Sequence, residues 1–507
     1  MAKLTREMLI SQDNMETRVA LVEDGQLVEL FIERSRRSVV GNIYLGKVAD
    51  VLPGMQAAFV DIGLEKNAYL YVDDVRLSSE ETREARSISS LLSVGQTVMV
   101  QVIKDAMGTK GARVSMELSI PGRYLVLTPM TSRRAVSKKI GDARRERLLD
   151  LMEAQLPQDT GAIARTVADE SDDGDIANDI NFLSRVWLRV QRQAREVVAP
   201  DILYTEIDLA MRCVRDIFSA DYDKLVIDHK NLYEKIMSFM RRSSPQLTRR
   251  IQLYRDKGKS LFEAWKLDED IAQSFRRDLP LPSGGFLVID KTEALVSIDV
   301  NTGSFVGRRS LEDTLLKTNL EAAAEACRQL RLRDLGGIIV IDFIDMEHEA
   351  SKRKLLDCLA ELLQRDRVRT KLVGLDSLGL VEITRKNVSD GLFQMMTERC
   401  PHCDGQGRRL SPLTRRIQIE RNIRAWVARS KAASFLFAVS PGSYAIVTGA
   451  GVNLAANIKA DTGKEVRLIA EPGLGLTEAL CLLEGDRPAR PHLDSQLFLR
   501  RGAKSNK

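Results

Sequence analysis

The stretch SGGFLVIDKTEALVSIDVNTG (residues 283–303) sets the fold class of this chain. Its two apolar runs, FLVID and ALVSID, flank a polar turn and read as a strand pair. Further on, SLEDTLLKTNLEAAAEACRQLRLRDLGG (310–337) reads as a helix, with Ser310 and Asp313 spaced like an N-terminal capping box and Gly336-Gly337 as its stop. The apolar run IIVID (338–342) supplies another strand. Strand, helix and strand normally close as a parallel crossover. Asp299 ends ALVSID and Asp342 ends IIVID. If those strands are neighbours, both carboxylates emerge at one end of the sheet, where open α/β sheets bind ligands.

Two hard oxygen donors there suit Mg²⁺, which keeps several waters and takes one or two carboxylates plus phosphate. Asn301, two residues after Asp299, points to the same side and is placed to orient water or phosphate. Asp345 lies three residues beyond Asp342, so in an extended strand it faces the other way and reads as structural. Lys291, Glu293 and Arg308 are further candidates for the crevice. The competing reading is that each aspartate only closes a turn, as strand-end aspartates often do.

Towards the N-terminus, RVALVEDGQLVELFIER alternates across Asp24-Gly25 and predicts a hairpin of two strands. Residues 38–117 hold five short strand-like runs between Pro53-Gly54, Gly63 and the polar stretch 78–86, the pattern of a small closed barrel. On such a barrel, bases stack on exposed rings and cations hold the backbone. Phe59 and Tyr69 are the ring candidates, and Lys104 and Lys110 the cations; a strand aromatic is otherwise usually core. Residues 118–210 read as mixed α/β with an acidic loop DESDDGD, and 205–275 as mostly helical with one strand at KLVIDH.

Of six cysteines only Cys400 and Cys403 are close together, in CPHC. The spacing fits a zinc knuckle, a redox dithiol or two incidental thiols. The Gly-rich turn after it favours metal, and one way to reach four-ligand zinc is for two chains to contribute one pair each. The scattered cysteines exclude a secreted disulfide framework. No apolar run approaches the roughly 20 residues of a membrane span, and the start lacks a signal core, so a cytoplasmic protein is expected. Five hundred and seven residues imply three or more structural units. The net charge of +5 is mild, but arginines crowd the segment between Cys400 and Lys431.

Together GNIYLGKV, LPGMQAAFVDIG, GTKGAR, YLVLTP, IARTVA, the 281–303 stretch, RQLRLRDLGGIIVIDFIDM, LGLVEITRK and CPHCDGQG resemble the bacterial ribonuclease E/G family, strongly to about residue 410 and more weakly beyond. The wording GMQAAFVDIGL favours its G branch. The resemblance implies an α/β multidomain fold. A ribonuclease-H-like domain (1–37 and 211–275) would be interrupted by an S1, oligonucleotide-binding-type barrel (38–117) and a 5′-sensor region (118–210). A deoxyribonuclease-I-like catalytic domain (276–399), a zinc link (400–410) and a small C-terminal α/β domain (411–507) would follow.

By the same resemblance, Asp299 and Asp342 hold catalytic Mg²⁺ and Asn301 lies by the scissile phosphate. Cys400 and Cys403 share structural Zn²⁺ with a partner subunit's pair. Phe59, Tyr69, Lys104 and Lys110 bind RNA on the S1 barrel. Arg165 and Thr166 take a 5′ phosphate, with Val126 beside the terminal base, and Arg369 is a further basic position. An arginine fork plus a hydroxyl suits a terminal monophosphate. The expected activity is Mg-dependent hydrolysis of single-stranded A/U-rich RNA, stimulated by a 5′ monophosphate. It would act in maturation of ribosomal RNA precursors (the 16S 5′ end) and in messenger decay, as a homodimer, with tetramers left open. Relatives of the E branch carry a long disordered tail that scaffolds a degradation complex. This sequence ends at Lys507, so no scaffold role is expected. The rivals are a non-catalytic S1-type RNA-binding protein and a dithiol oxidoreductase using Cys400 and Cys403.

Overall fold

Asp24 and Gly25 both take positive φ, 47° and 80°, as a two-residue hairpin turn requires. They join the strands Glu16–Glu23 and Gln26–Arg34. The sequence pattern missed a third strand, Arg6–Gln12, which lies inside the sheet: it pairs antiparallel with Glu16–Glu23 and parallel with Lys224–Ile227. That last strand is the KLVIDH run, and a short strand Ile251–Leu253 completes five. Residues more than 200 apart in the chain thus form one sheet. The computed structural model describes residues 4–34, 38–76, 87–106, 110–169, 171–256, 258–302, 311–376, 379–388, 391–403, 405–449 and 454–486.

The segment between the two halves of that sheet forms two further bodies. Strands Ile43–Leu52, Ala57–Asp61, Ala68–Tyr71, Thr97–Lys104 and Arg113–Ser115 make a five-stranded barrel, closed by pairing of the first with Thr97–Lys104. A sixth strand, Asp201–Tyr204, comes from outside the expected range and adds to Ile43–Leu52. The polar stretch 78–86 and the centre of the loop between Lys104 and Lys110 lie outside the described residues. Next comes a four-stranded sheet, whose strands Leu125–Thr128 and Gly161–Ala164 pack one face on the helices Asp142–Gln155 and Asp173–Glu196. Half of the expected acidic loop is the first turn of the second helix, where Asp173 and Asp175 favour the positive helix end. That helix buries Ile176, Ile180, Leu183, Trp187 and Val190, a stripe at helical spacing.

The six-stranded sheet of residues 278–385 runs in the order Asp278–Pro280, Phe286–Lys291, Leu295–Asn301, Gly337–Asp342, Leu380–Arg385, Thr370–Leu375. Helices Leu311–Leu332 and Glu349–Leu363 pack on one face through Val296, Ile298, Val300, Ile339, Ile341, Val381 and Ile383. The opposite face is open, and Ile338 and Val373 on the sheet are 53% and 54% exposed. Ser310 lies outside the described residues. The first helix stops earlier than Gly336-Gly337: Asp334 takes the left-handed conformation at φ 49°, and Gly337 already begins the next strand.

Arg385 is a charged residue on the inward face of its strand. It is accommodated because Asp366 (2.8 Å), Asp334 (2.5 Å) and the Leu335 carbonyl (3.1 Å) accept from its guanidinium. The long helix also binds the N-terminal sheet: Arg331 donates to Glu23 and Glu29, and Arg328 to the Leu27 carbonyl. These bodies form one compact unit, Met1–Met396; Thr397–Lys507 form a second. In the second unit a three-stranded sheet, ordered Glu465–Ala470, Ser434–Val439, Ala479–Gly485, packs with the helices Pro412–Arg429, Pro441–Thr448 and Leu454–Thr462. No helix among the described residues is long and apolar enough to cross a membrane.

Candidate functional site

Leu295–Asn301 and Gly337–Asp342 are adjacent parallel strands, and their register sets Asp299 directly beside Asp342. Neighbouring strands run ~4.8 Å apart, so the two carboxylates share one small volume. Alternation explains their exposure: Ile298, Val300 and Ile341 point into the core, and the aspartates point to the open face. The Asn301 amide donates to Asp299 Oδ2 at 2.8 Å. Asp299 Oδ1 and both oxygens of Asp342 have no partner among the described residues. Free lone pairs on two adjacent exposed carboxylates are a donor set that Mg²⁺ accepts.

The other residues named for this domain divide. Arg308 lies outside the described residues. Lys291 and Glu293 do not line it: Lys291 ends its strand opposite Val296, three residues and ~10 Å from the Asp299 rung, and Glu293 lies in the turn beyond. Arg369 precedes Thr370, which shares a rung with Arg385 and Gly337, whereas Asp342 shares one with Leu380. Arg369 is therefore roughly 20 Å along the sheet from the aspartates, too far to meet the same phosphate. Asp345 turns away from Asp342 and lines a cleft of 170 Å³ with Phe343, Met346, Lys352 and Asp376.

On the barrel, Phe59 and Tyr69 are direct cross-strand partners, with ring centroids 6.1 Å apart and planes at 68°. Both are half-buried on the outer face, while Ala58, Val60, Ala68 and Leu70 fill the interior. Tyr69 pairs on its other side with Arg113, and Arg113 with Lys104 across a bulge. Rings and cations thus form one row across four strands. Arg113 was not singled out from sequence, although it ends the motif GTKGAR; Asp74 holds its guanidinium at 2.7 Å. Lys110 is exposed next to Gly111, whose backbone runs so close to Asn67 that a Cβ there would sit 2.0 Å from its carbonyl oxygen.

Arg165, Thr166 and Val126 also come together. In the four-stranded sheet, Leu125, Leu127, Ala162 and Ala164 face the core, which turns Val126 and its partner Ile163 to the open side. Ile163 is 43% exposed and offers a second apolar contact that the sequence did not flag. Arg165 continues that face, and Ser137 emerges beside it from the neighbouring strand. Ser137 and Thr166 share a hydroxyl hydrogen bond of 2.9 Å. Arg165 Nη1 donates to the Gly122 carbonyl at 3.0 Å and to Asp216.

In the second unit, the Gly407 amide donates to Cys403 Sγ at 3.3 Å. That bond, joined by a thiol contact from Cys400 and the amides of Gly405 and Gln406, holds the Cys403 thiol below its ordinary range against a smaller effect of burial. A turn whose amides point at a thiol stabilises thiolate, the form that binds zinc. His402 between the two cysteines is exposed. Among the described residues no three His, Cys, Asp or Glu side chains converge to hold a metal.

The model of the "Ribonuclease E/G family" matches residues 119–388. The chain is 39% identical over 478 residues to ribonuclease G of Escherichia coli K12, covering 92% of this chain and 98% of that protein. Ribonuclease G of Haemophilus influenzae is 39% identical over 79% of this chain and 84% of its own. Ribonuclease E of a Nostoc species is 36% identical over 76% of this chain and 57% of its own.

Proposed function

The chain belongs to the ribonuclease E/G family and is an endoribonuclease, and on that premise we propose that it hydrolyses single-stranded RNA with Mg²⁺ held by Asp299 and Asp342. The observation that carries this reading is the rung that puts the two carboxylates side by side on an exposed sheet end. Mg²⁺ bound there supplies Lewis acidity at the phosphate and a water of lowered pKa. Asn301 orients Asp299 through its amide and presents its remaining donor to the scissile phosphate or the attacking water. The water oxygen bonds to phosphorus, the P–O3′ bond breaks, and the products carry a 5′-phosphate and a 3′-hydroxyl.

Phe59 and Tyr69 offer stacking rings to bases, and Lys104 and Lys110 offer charge to phosphates. Arg165 and Thr166 receive a 5′-terminal monophosphate, with Val126 against the first base. The proposed domains keep the boundaries given above: a ribonuclease-H-like body split by the S1 barrel and sensor, a deoxyribonuclease-I-like catalytic body, a zinc link and a C-terminal domain. Substrates are A/U-rich stretches in ribosomal RNA precursors and messages, and the working form is a cytoplasmic homodimer sharing Zn²⁺ through Cys400 and Cys403.

The test is internal cleavage of an end-labelled A/U-rich single strand carrying either a 5′ monophosphate or a 5′ hydroxyl, with and without Mg²⁺. Mg-dependent cutting that runs faster on the monophosphate is expected. Equal rates on both RNAs would remove the sensor and leave the nuclease. Tight binding without cutting would favour the non-catalytic rival. On the barrel, Phe59→Ala is expected to raise KM for RNA about tenfold with kcat kept, because base–aromatic stacking contributes ~1–3 kcal/mol. An unchanged KM would return Phe59 to the role of a packing residue.

A further inference from the structure

Arg165 is held from one side only. Both of its hydrogen bonds, to the Gly122 carbonyl at 3.0 Å and to Asp216, leave from Nη1. Its Nε and Nη2 have no partner among the described residues, and its side chain is 26% exposed. The Nε–Nη2 edge is one of the two forks with which a guanidinium grips a phosphate by two parallel bonds.

Asp216 stands at the end of the helix Leu209–Asp216, beyond the α/β segment that carries Arg165. It also accepts from Arg215 Nε at 2.8 Å and Nη2 at 3.1 Å. Arg215 Nη1 in turn donates to Glu206 at 2.9 Å and to the Pro121 carbonyl at 3.1 Å. The side chains of Arg215 and Glu206 are 6% and 7% exposed. From the interior outward, charges therefore alternate: Glu206, Arg215, Asp216, Arg165. Such a row gains at each step from opposite neighbours in a medium of low dielectric. Its outer end is a cation whose far edge is free. Burial pushes the Asp216 carboxyl up, but Arg215 and then Arg165 outweigh burial and hold it below the usual carboxylate range.

The second anchor of Arg165 is equally fixed. Gly122 lies against Asp179, so closely that a Cβ on it would sit 2.4 Å from that carboxylate. Asp179 accepts from the backbone amides of Tyr124 and Leu125 at 2.9 and 3.0 Å. The Gly122 carbonyl is thus pinned by the long helix, and Asp216 by the buried arginine.

We infer that Asp216 is the positioning residue of the 5′-phosphate pocket: it fixes Nη1 of Arg165 and turns the Nε–Nη2 edge outward, so that a terminal phosphomonoester of RNA extends the alternating row. This rests on the 5′-end reading of Arg165 and Thr166. An arginine without such an anchor samples many rotamers and loses entropy when it binds. Asp216 removes that loss before the RNA arrives.

The test compares kcat/KM for one RNA with a 5′ monophosphate and with a 5′ hydroxyl in wild type, Asp216→Asn, Arg165→Gln and the double variant. Asp216→Asn is expected to cut the monophosphate-to-hydroxyl ratio at least fivefold, through KM, and to add nothing on top of Arg165→Gln. Asp216→Glu, which keeps the charge and displaces it by one methylene, is expected to fall between wild type and Asp216→Asn; it carries the test if Asp216→Asn does not fold. A ratio that holds in both Asp216 variants while Arg165→Gln abolishes it would overturn the inference and spare the sensor. Parallel loss on both RNAs would assign Asp216 to structure alone and overturn it too. A wild type that cuts both RNAs alike would remove the sensor reading and this inference with it.

Discussion

Asparagine at position 299 or 342 is expected to stop cleavage while leaving the protein folded and bound to RNA. The substitution is nearly isosteric and both positions are exposed, so the core beneath them, Ile298 and Ile341, is untouched. What changes is charge. Each carboxylate supplies half of the anionic donor set of the rung, and an amide oxygen is a poor substitute for a divalent cation that dehydrates reluctantly. The charge stabilisation that such a metal lends a phosphoryl transition state is several kcal/mol. At 1.36 kcal/mol per decade, a fall in kcat of about 10³-fold or more follows.

Affinity for RNA has its own determinants on this reading, namely the ring row of the barrel. Dissociation constants of Asp299→Asn and Asp342→Asn, from anisotropy of a labelled single strand, should stay within about threefold of wild type, since exposed substitutions usually act locally. Single-turnover cleavage over a Mg²⁺ series gives the other half. If cleavage and binding fell together, or if either variant cut at the wild-type rate, the aspartates would not hold the metal. Asn301→Ala is the milder companion, because Asp299 keeps its charge and loses only its 2.8 Å amide contact.

How far this site was legible from sequence follows from the distances involved. The aspartate pair was readable because everything that positions it is local: two apolar runs, one helix between them, and strand alternation. The Phe59–Tyr69 pair was readable for the same reason, since six residues and one turn join their strands. Lys291 and Glu293 were misplaced because nearness in sequence to Asp299 says nothing about which end of a hairpin a residue occupies. The strand Arg6–Gln12 was missed because REMLISQ does not alternate; it is buried on both faces in the middle of a sheet, two of whose strands arrive from residues 224–253. Asp216 was invisible for a related reason. Its meaning comes from Arg165, 51 residues away, and from a buried arginine next to it in sequence. Arg165, Thr166 and Val126 came from family resemblance alone, since no periodicity marks an open sheet face as a phosphate pocket.

The second large effect is expected at the cysteines, on assembly more than on chemistry. Structural zinc takes four ligands; on the proposed reading the CPHC turn would supply two, and two copies of the chain would complete the set. Purified wild type should then carry about half a zinc per chain, the stoichiometry of one four-thiolate site shared by two chains. Cys400→Ser and Cys403→Ser should each abolish bound zinc, since a hydroxyl replaces a thiolate in both halves of the site. Zinc bound by folded peptides of this ligand type contributes ~10–16 kcal/mol, so little of a link that depends on it would survive. Light scattering should show the mass moving from dimer to monomer, and a chelator should do the same to wild type. The Gly407 amide at Cys403 Sγ distinguishes the two thiols: it favours thiolate at Cys403, so Cys400→Ser should leave the more reactive single thiol. A wild type free of zinc, with a disulfide that titrates reversibly, would instead make the pair a redox couple. A zinc-free dimer would put the subunit contact elsewhere on the chain.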